Sequence, residues 1–377
     1  MKYNCVLLAV TLLFCPFYSF SQNEIVLKKH TAPVKAVAFS PNGKLLASGG
    51  DDKTILLWNL ENTELSGTIK TVFPVKAILF ITNDQILAAC GDDILLLDLA
   101  GKIIKTFSGY TTEIWSISYN SIANRVVAGS YAKNIRVWDF NTTNQVMVLN
   151  GHERSCLPVS FNPSGTIIAS GSLDKTVRLW DAVEGKQLKS HDLHSENIFA
   201  IEFHPSGKYL ASASADKTIR LWNIESDKIV KTFTGHEAAI MDINFSADGH
   251  HLLSCDAKNN IILWETATGK KLWNFKGHKG AVNAVSFSNN TTAFASASDD
   301  HTIIYMKPDK KIFLGGSWFE KEIEKEITGS SLFEPKNENE TKQDYLIRKA
   351  KADRHLDSLY NINYSKYIET LEHLPME

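Results

Sequence analysis

Four tryptophans, Trp138, Trp180, Trp222 and Trp264, stand 42 residues apart, and Met306 falls one further period along. Going backwards, Leu97 and Trp58 hold the same slot at spacings of 41 and 39. A period of this length in seven copies constrains the chain more than any local propensity, because every copy must solve the same packing problem as its neighbours. Residues 194–223, HSENIFAIEFHPSGKYLASASADKTIRLWN, show one copy. IFAIEF alternates in polarity, HPSGK is a turn, YLASAS a second strand, ADK a tight hairpin and TIRLWN a third strand. IVKTFTGH at 229–236 supplies a fourth strand and the link to the next copy. One such sheet cannot cover its own two apolar faces, and seven stacked side by side close into a ring. The expected fold class is all-β, a closed ring of seven small sheets followed by a short α-helical region.

The segments GHERSC…SGSLDKTVRLWD at 151–181, HSENIF…SASADKTIRLWN at 194–223 and GHKGAV…SASDDHTI at 277–303 resemble WD40 repeats, and the similarity covers residues 24–307. The resemblance implies a seven-bladed β-propeller in which the first strand of the chain completes the last blade. EIVLKK at 24–29 is placed for this, and KKIFLGG at 310–316 competes for the same edge. It also implies a hydrogen-bonded chain inside a blade, running from a His before the first strand to a Ser in the second, an Asp in the hairpin and a Trp in the third. By position these are His30, Ser48, Asp52 and Trp58 in blade 1, His152, Ser170, Asp174 and Trp180 in blade 4, and His194, Ser212, Asp216 and Trp222 in blade 5. The Asp can accept from turn amides and from the His, while the indole donates from a buried ring. A Ser-His-Asp set invites comparison with a nucleophilic triad. Its recurrence within several blades, away from any shared pocket, makes it a brace, and no catalytic residue is expected. Each blade supplies a single such His, and the HDLH pair at 191–194 lacks a third ligand, so neither a metal nor a cofactor is expected.

Departures from the pattern mark weaker bracing. Blade 2, ILAACGDDILLLDL, is two residues short and lacks the His and the Trp. Blade 3 has Tyr110 for His, with Ala128 and Ala132 in the Ser and Asp slots; blade 6 has Lys258 in the Asp slot, and blade 7 has Met306 for Trp.

Family members usually bind partners where the His-side loops and hairpins approach the central channel. One position past the start of each first strand selects Lys35, Lys76, Trp115, Leu157, Phe199, Met241 and Asn283, with Tyr131 beside the hairpin of blade 3. Trp115, Tyr131, Leu157, Phe199 and Met241 then form one arc over blades 3 to 6, either a binding hot spot or packing between loops and blades. The next position carries Ala36, Ala77, Ser116, Pro158, Ala200, Asp242 and Ala284. Asp242 is expected as a solvated acid near channel water, with no second acid or base beside it, so the paired groups of acid–base chemistry are missing.

Composition narrows the partners. Forty basic against 42 acidic residues give a formal charge of -2, which points away from nucleic acid or an anionic membrane surface as the main partner. The opening MKYNCVLLAVTLLFCPFYSFSQ combines Lys2, an apolar run from Val6 to Phe14, and Ser19 and Ser21 as small residues before a cut after Ser21. Residues 1–21 therefore read as a signal peptide, 22–314 as the propeller and 315–377 as a helical tail. Lipidation at Cys15 is the alternative, and the apolar run is too short for a transmembrane span. Cys90, Cys156 and Cys255, an odd set in three repeats, read as small buried hydrophobes.

In the tail, 317–377, acidic residues outnumber basic ones 13 to 9. SWFEKEIEKEIT at 317–328 suggests a short helix with apolar points at Trp318, Ile323 and Ile327, and FEPKNENE a break at Pro335. Thr341 and Asp344 form a capping-box pattern opening a helix with Leu346, Ala350, Leu356, Tyr360, Tyr364, Ile368 and Leu371 near helical spacing. FEPKNENETKQDYLIRKAKA resembles a tail module of exported bacterial proteins. The function expected is a non-catalytic scaffold outside the cytoplasm, periplasmic or secreted, that binds a protein or peptide on the propeller face. A glycan- or small-ligand-binding propeller, or a propeller enzyme, is the alternative.

Overall fold

The computed structural model describes residues 23–289, 292–308, 312–313, 327, 330–333 and 340–372. The signal-peptide reading of 1–21, Cys15 and most of the helix expected at 317–328 lie outside these residues.

Among the described residues, 28 strands form seven antiparallel four-stranded blades. The innermost strands are Val34–Phe39, Val75–Phe80, Ile114–Asn120, Cys156–Phe161, Ile198–Phe203, Ile240–Phe245 and Val282–Phe287. The last blade takes its outermost strand from the start of the chain. Asn23–Lys28 pairs antiparallel with Thr302–Lys307, from Asn23 opposite Lys307 to Lys28 opposite Thr302. The competing segment does not take this edge: Ile312 and Phe313 sit in a helical turn, buried against Leu253, Phe287 and Phe294 of blades 6 and 7.

The core is not one body of side chains but seven clusters, each shared by two neighbouring blades. Trp180 of blade 4, for example, packs with Val127, Val137 and Leu149 of blade 3, and Trp264 of blade 6 with Ala211, Leu221 and Phe233 of blade 5. This is the physical form of the requirement read from the period, since a lone blade would leave both apolar faces in water. Cys90, Cys156 and Cys255 are buried with free thiols, and burial pushes the Cys90 thiol up to about 12.

Blades 3 and 4 are fused into a single eight-stranded sheet by pairing of Ser130 with Cys156. Gly129 permits the approach, because a Cβ there would meet the Leu157 carbonyl oxygen at 2.3 Å. In the short blade 2, Gly91 adopts a φ of +66° in the two-residue hairpin between Cys90 and Asp93, and a Cβ would strike the Phe73 ring at 2.8 Å.

One 31-residue helix, Lys342–Glu372, follows the propeller. Thr341 caps it by accepting from the Asp344 amide at 3.1 Å and donating to the Asp344 carboxylate at 2.6 Å. Its described buried positions are Ala352, Leu359 and Tyr360. Of the apolar positions read from the spacing, Leu346 and Ala350 are exposed, Leu356 is half-buried and Tyr360 is buried. Among the described residues no helix is long and apolar enough to cross a membrane.

Candidate functional site

Inside the blades the His, Ser, Asp and Trp side chains join as the repeat pattern implies. In blade 4 the His152 ring meets Asp174 at 2.9 Å and Ser170 at 2.8 Å, and the Trp180 indole donates to the Ser170 hydroxyl at 2.9 Å. Blade 1 repeats this with His30, Asp52, Ser48 and Trp58 at 2.8, 2.9 and 3.0 Å. In blade 5 His194 meets Asp216 at 2.9 Å and Ser212 at 2.8 Å, and Trp222 is buried beside them. Burial pushes the Asp174 and Asp216 carboxyls up, but hydrogen bonds from His and Thr side chains outweigh it and hold both well below the usual carboxylate range. These side chains are spent on one another inside the sheet.

Two weak blades are braced by other means. In blade 6 the acid is Asp256, not a residue at the Lys258 slot: His236 meets Asp256 at 2.8 Å and Ser254 at 2.6 Å, and Trp264 donates to Ser254 at 2.7 Å. Asn260 stands where other blades place a Thr, and its longer amide reaches back to the Asp256 carboxylate at 2.9 Å. In blade 3 the Tyr110 hydroxyl donates to the Ala128 carbonyl at 2.7 Å and accepts from the Arg136 amide at 3.0 Å, while Trp138 donates to the Ser108 carbonyl at 2.9 Å. Blade 7 keeps His278, Ser296 and Asp300 without an indole.

Every innermost strand carries a bulge near its start, as between Ile198 and Ala200 or Ile240 and Asp242. The extra residue is left out of the ladder and re-aimed toward the channel, so this position gathers the candidate residues at one mouth. Lys35, Lys76, Trp115, Tyr131, Phe199, Met241 and Asn283 all line a central cavity of about 590 Å³. Leu157 does not. In blade 4 the register steps from Cys156 opposite Ser172 to Val159 opposite Ser170, one extra residue as in the other blades, but Leu157 is only 2% exposed.

The mouth divides into two halves. At the ring seam, Lys35 bonds Asp299 at 2.6 Å, Lys76 bonds Asp51 at 2.8 Å, and Asn283 donates to the Val34 carbonyl and to Asp299, each at 2.8 Å. These three polar groups bridge blades 7, 1 and 2. Over blades 3 to 6 the mouth is aromatic and apolar. Trp115 meets Tyr131 edge-on at 5.8 Å, Tyr131 is 46% exposed, and Phe199 and Met241 are half-buried beside them.

Deeper in the channel a second acid accompanies Asp242. Glu202 occupies an inward position two residues further along its strand, on the preceding blade. Its carboxylate accepts from the Phe245 amide at 2.9 Å and the Asn244 side chain at 3.0 Å. Asp242 accepts from the Ile243 amide at 2.9 Å and the Val285 amide at 3.0 Å. The expectation of a freely solvated, solitary acid is thus corrected: each carboxyl touches the channel on one side and protein on the others. Burial pushes Asp242 up to about 7 despite two amide donors, and burial with the nearby Asp242 charge raises Glu202 well above its ordinary value.

An acid whose folded-state value is raised costs stability as it ionises, so the cost is absent near pH 4 and complete above about pH 7. Asp242→Asn keeps an acceptor for the Val285 amide and removes the charge. The expected result is a gain of about 1–3 kcal/mol at pH 8 that shrinks to nothing by about pH 4. Denaturant titrations of both proteins across that range check it, and a pH-independent difference would contradict it.

A closed ring of sheets with braces inside the blades and a channel mouth lined by bulge residues defines a β-propeller whose accessible chemistry lies at one end of its axis. The chain belongs to the WD40 family: the model of the WD domain, G-beta repeat, matches residues 21–59, 101–139, 143–181, 185–223, 227–265 and 269–305. Blade 2, the one lacking His and Trp, has no match of its own. Curated relatives are similar over short stretches. A component of chromatin assembly factor 1 from chicken (Gallus gallus) is 28% identical over 127 residues, covering 34% of this chain and 19% of that protein. The transcriptional corepressor LEUNIG_HOMOLOG of Arabidopsis thaliana is 28% identical over 131 residues, 33% of this chain and 17% of its own length. The nuclear distribution protein PAC1 of Arthroderma otae is 30% identical over 141 residues, 33% of this chain and 31% of its own. These are eukaryotic proteins, and the chain spans less than a third of the length of each.

Proposed function

We propose that the protein is a non-catalytic interaction scaffold that acts outside the cytoplasm and holds a protein or peptide partner at the aromatic half of the channel mouth. The observation that carries this reading is the cluster of Trp115, Tyr131, Phe199 and Met241 around a cavity of about 590 Å³. Large apolar groups left at a rim are the usual anchors of a binding hot spot. Relatives whose names describe an assembly factor and a corepressor favour a binding role over chemistry. The signal-like pattern of residues 1–21 and the resemblance of the tail to an exported bacterial module support the extracytoplasmic setting. Leu157 drops out of the binding set because it is buried, and Lys35, Lys76 and Asn283 contribute to the seam.

Replacing Trp115 and Phe199 together with Ala is expected to abolish capture of the partner from a native extract of the host while leaving the unfolding midpoint within a few degrees. The reading fails if capture persists. A midpoint that falls sharply with capture intact would make these rings part of the packing between blades.

A further inference from the structure

The apolar outer strands of blades 2 to 4 leave Ile103, Val146 and Leu188 exposed, with nothing to say what covers them. The buried His251 lies edge-on to Phe313 at 5.0 Å, a contact within the core. The channel is different, because two of its groups are more polar than their task in the fold requires.

Glu202 and Asp242 perform a structural task that needs no charge. Each accepts a backbone amide from the innermost strand of the next blade, Phe245 for Glu202 and Val285 for Asp242. Elsewhere in the ring neutral groups do the same. Ser116 accepts from the Val159 amide at 3.0 Å, Ser118 from the Phe161 amide at 3.1 Å, and Asn244 from the Phe287 amide at 2.7 Å. A hydroxyl or an amide therefore suffices, and two neighbouring acids without a counter-ion are the expensive choice. Among the described residues no salt bridge reaches either one. The lysines at the mouth, Lys35 and Lys76, are engaged by Asp299 and by Asp51 with Glu113. The channel thus holds two acids whose ionisation the fold neither needs nor neutralises, and an incoming cation would supply the missing counter-charge. Phe199 and Met241, the bulge residues of the same two strands, line the same cavity. At the same mouth Trp115 adds an aromatic face, the kind of surface over which a cation is stabilised.

We infer that the partner enters the channel with a basic side chain, an arginine or lysine of a peptide or exposed loop, which passes the Phe199 and Met241 rim and ends against the Glu202 and Asp242 carboxylates. This rests on the proposed binding face and adds the chemistry it selects. Charge complementarity sets the occupant: an acidic residue would be repelled by both carboxylates, and an apolar one would leave them uncompensated. A long side chain suits the site because its stem lies along the apolar rim while its head reaches the acids.

The test uses an array of ten-residue peptides of mixed sequence in which one central position is arginine, lysine, citrulline, norleucine or glutamate. Citrulline keeps the shape of arginine and lacks its charge. The wild-type protein is expected to retain arginine or lysine peptides at least about tenfold better than their citrulline or norleucine counterparts. In the Glu202→Gln, Asp242→Asn protein, which keeps both amide acceptors, that preference is expected to fall to near one while the folded midpoint holds. Equal retention of arginine and citrulline peptides by the wild type overturns the inference, as does a preference that survives the double exchange. Either result leaves the binding face in place. Retention that is unchanged in Trp115→Ala, Phe199→Ala overturns the face itself, and retention of no peptide at all overturns both.

Discussion

Trp180→Ala lowers the stability of the propeller by about 3–5 kcal/mol, the range for deleting a fully buried large aromatic side chain. Trp180 is 1% exposed and lies between blades 3 and 4, so the cavity opens in a shared core rather than within one sheet. The exchange also leaves the Ser170 hydroxyl, itself 0% exposed, without the indole donor it accepts at 2.9 Å. Ser170→Ala alone is smaller, about 1–3 kcal/mol, because it strands the indole and the His152 nitrogen but removes little volume. The two residues share one network, and the double variant should cost less than the sum of the singles. Equilibrium denaturation of the three variants measures this. Strict additivity would show that the brace is a set of neighbours rather than a coupled chain.

Removal of the strand Asn23–Lys28 is expected to cost at least about 3 kcal/mol, through loss of its ladder hydrogen bonds and of the buried Leu27. It also leaves Thr302–Lys307 as a bare edge next to a nearly intact sheet, which invites pairing with another chain. The shortened protein should therefore melt earlier and aggregate on melting, as calorimetry with light scattering would show. Supplying residues 23–28 as a separate peptide should restore part of the loss if the pairing is what matters. A shortened ring that melts at the wild-type temperature would mean that closure contributes little.

The architecture is legible in the sequence because the packing constraint is written there as a period. The closing strand is equally legible, since an incomplete seventh blade needs a partner and only two segments are placed to give one. Individual slots are less secure. Asp256 replaces the expected hairpin acid because Asn260, longer in reach than the threonine of other blades, lets the carboxylate sit two residues earlier. Counting along the repeat places Leu157 on the rim, but counting cannot see that its side chain is buried where the pairing of Ser130 with Cys156 fuses blades 3 and 4. Glu202 lies beyond the first inward position of its strand, and the signal for it is strand alternation, which puts the residue two further along on the same face. The tail helix shows the opposite case. Its cap is readable from Thr341 and Asp344 and so is the buried Tyr360, while Leu346 and Ala350 of the same spacing are exposed and Ala352 and Leu359 are buried outside it.

The antiparallel pairing that closes the ring also fixes a direction. Lys28 and Thr302 lie at the hairpin end of blade 7, and Asn23 and Lys307 at the other. The hairpin end is the one that bears Asp51, Tyr131 and the channel mouth. Asn23 and Lys307 therefore stand side by side at the face away from the mouth. A tether at either end, whether lipid, tag or docked tail, would hold the molecule by its back with the mouth turned outward. Immobilisation through the N-terminus is accordingly the natural geometry for presenting the aromatic rim to a partner in solution.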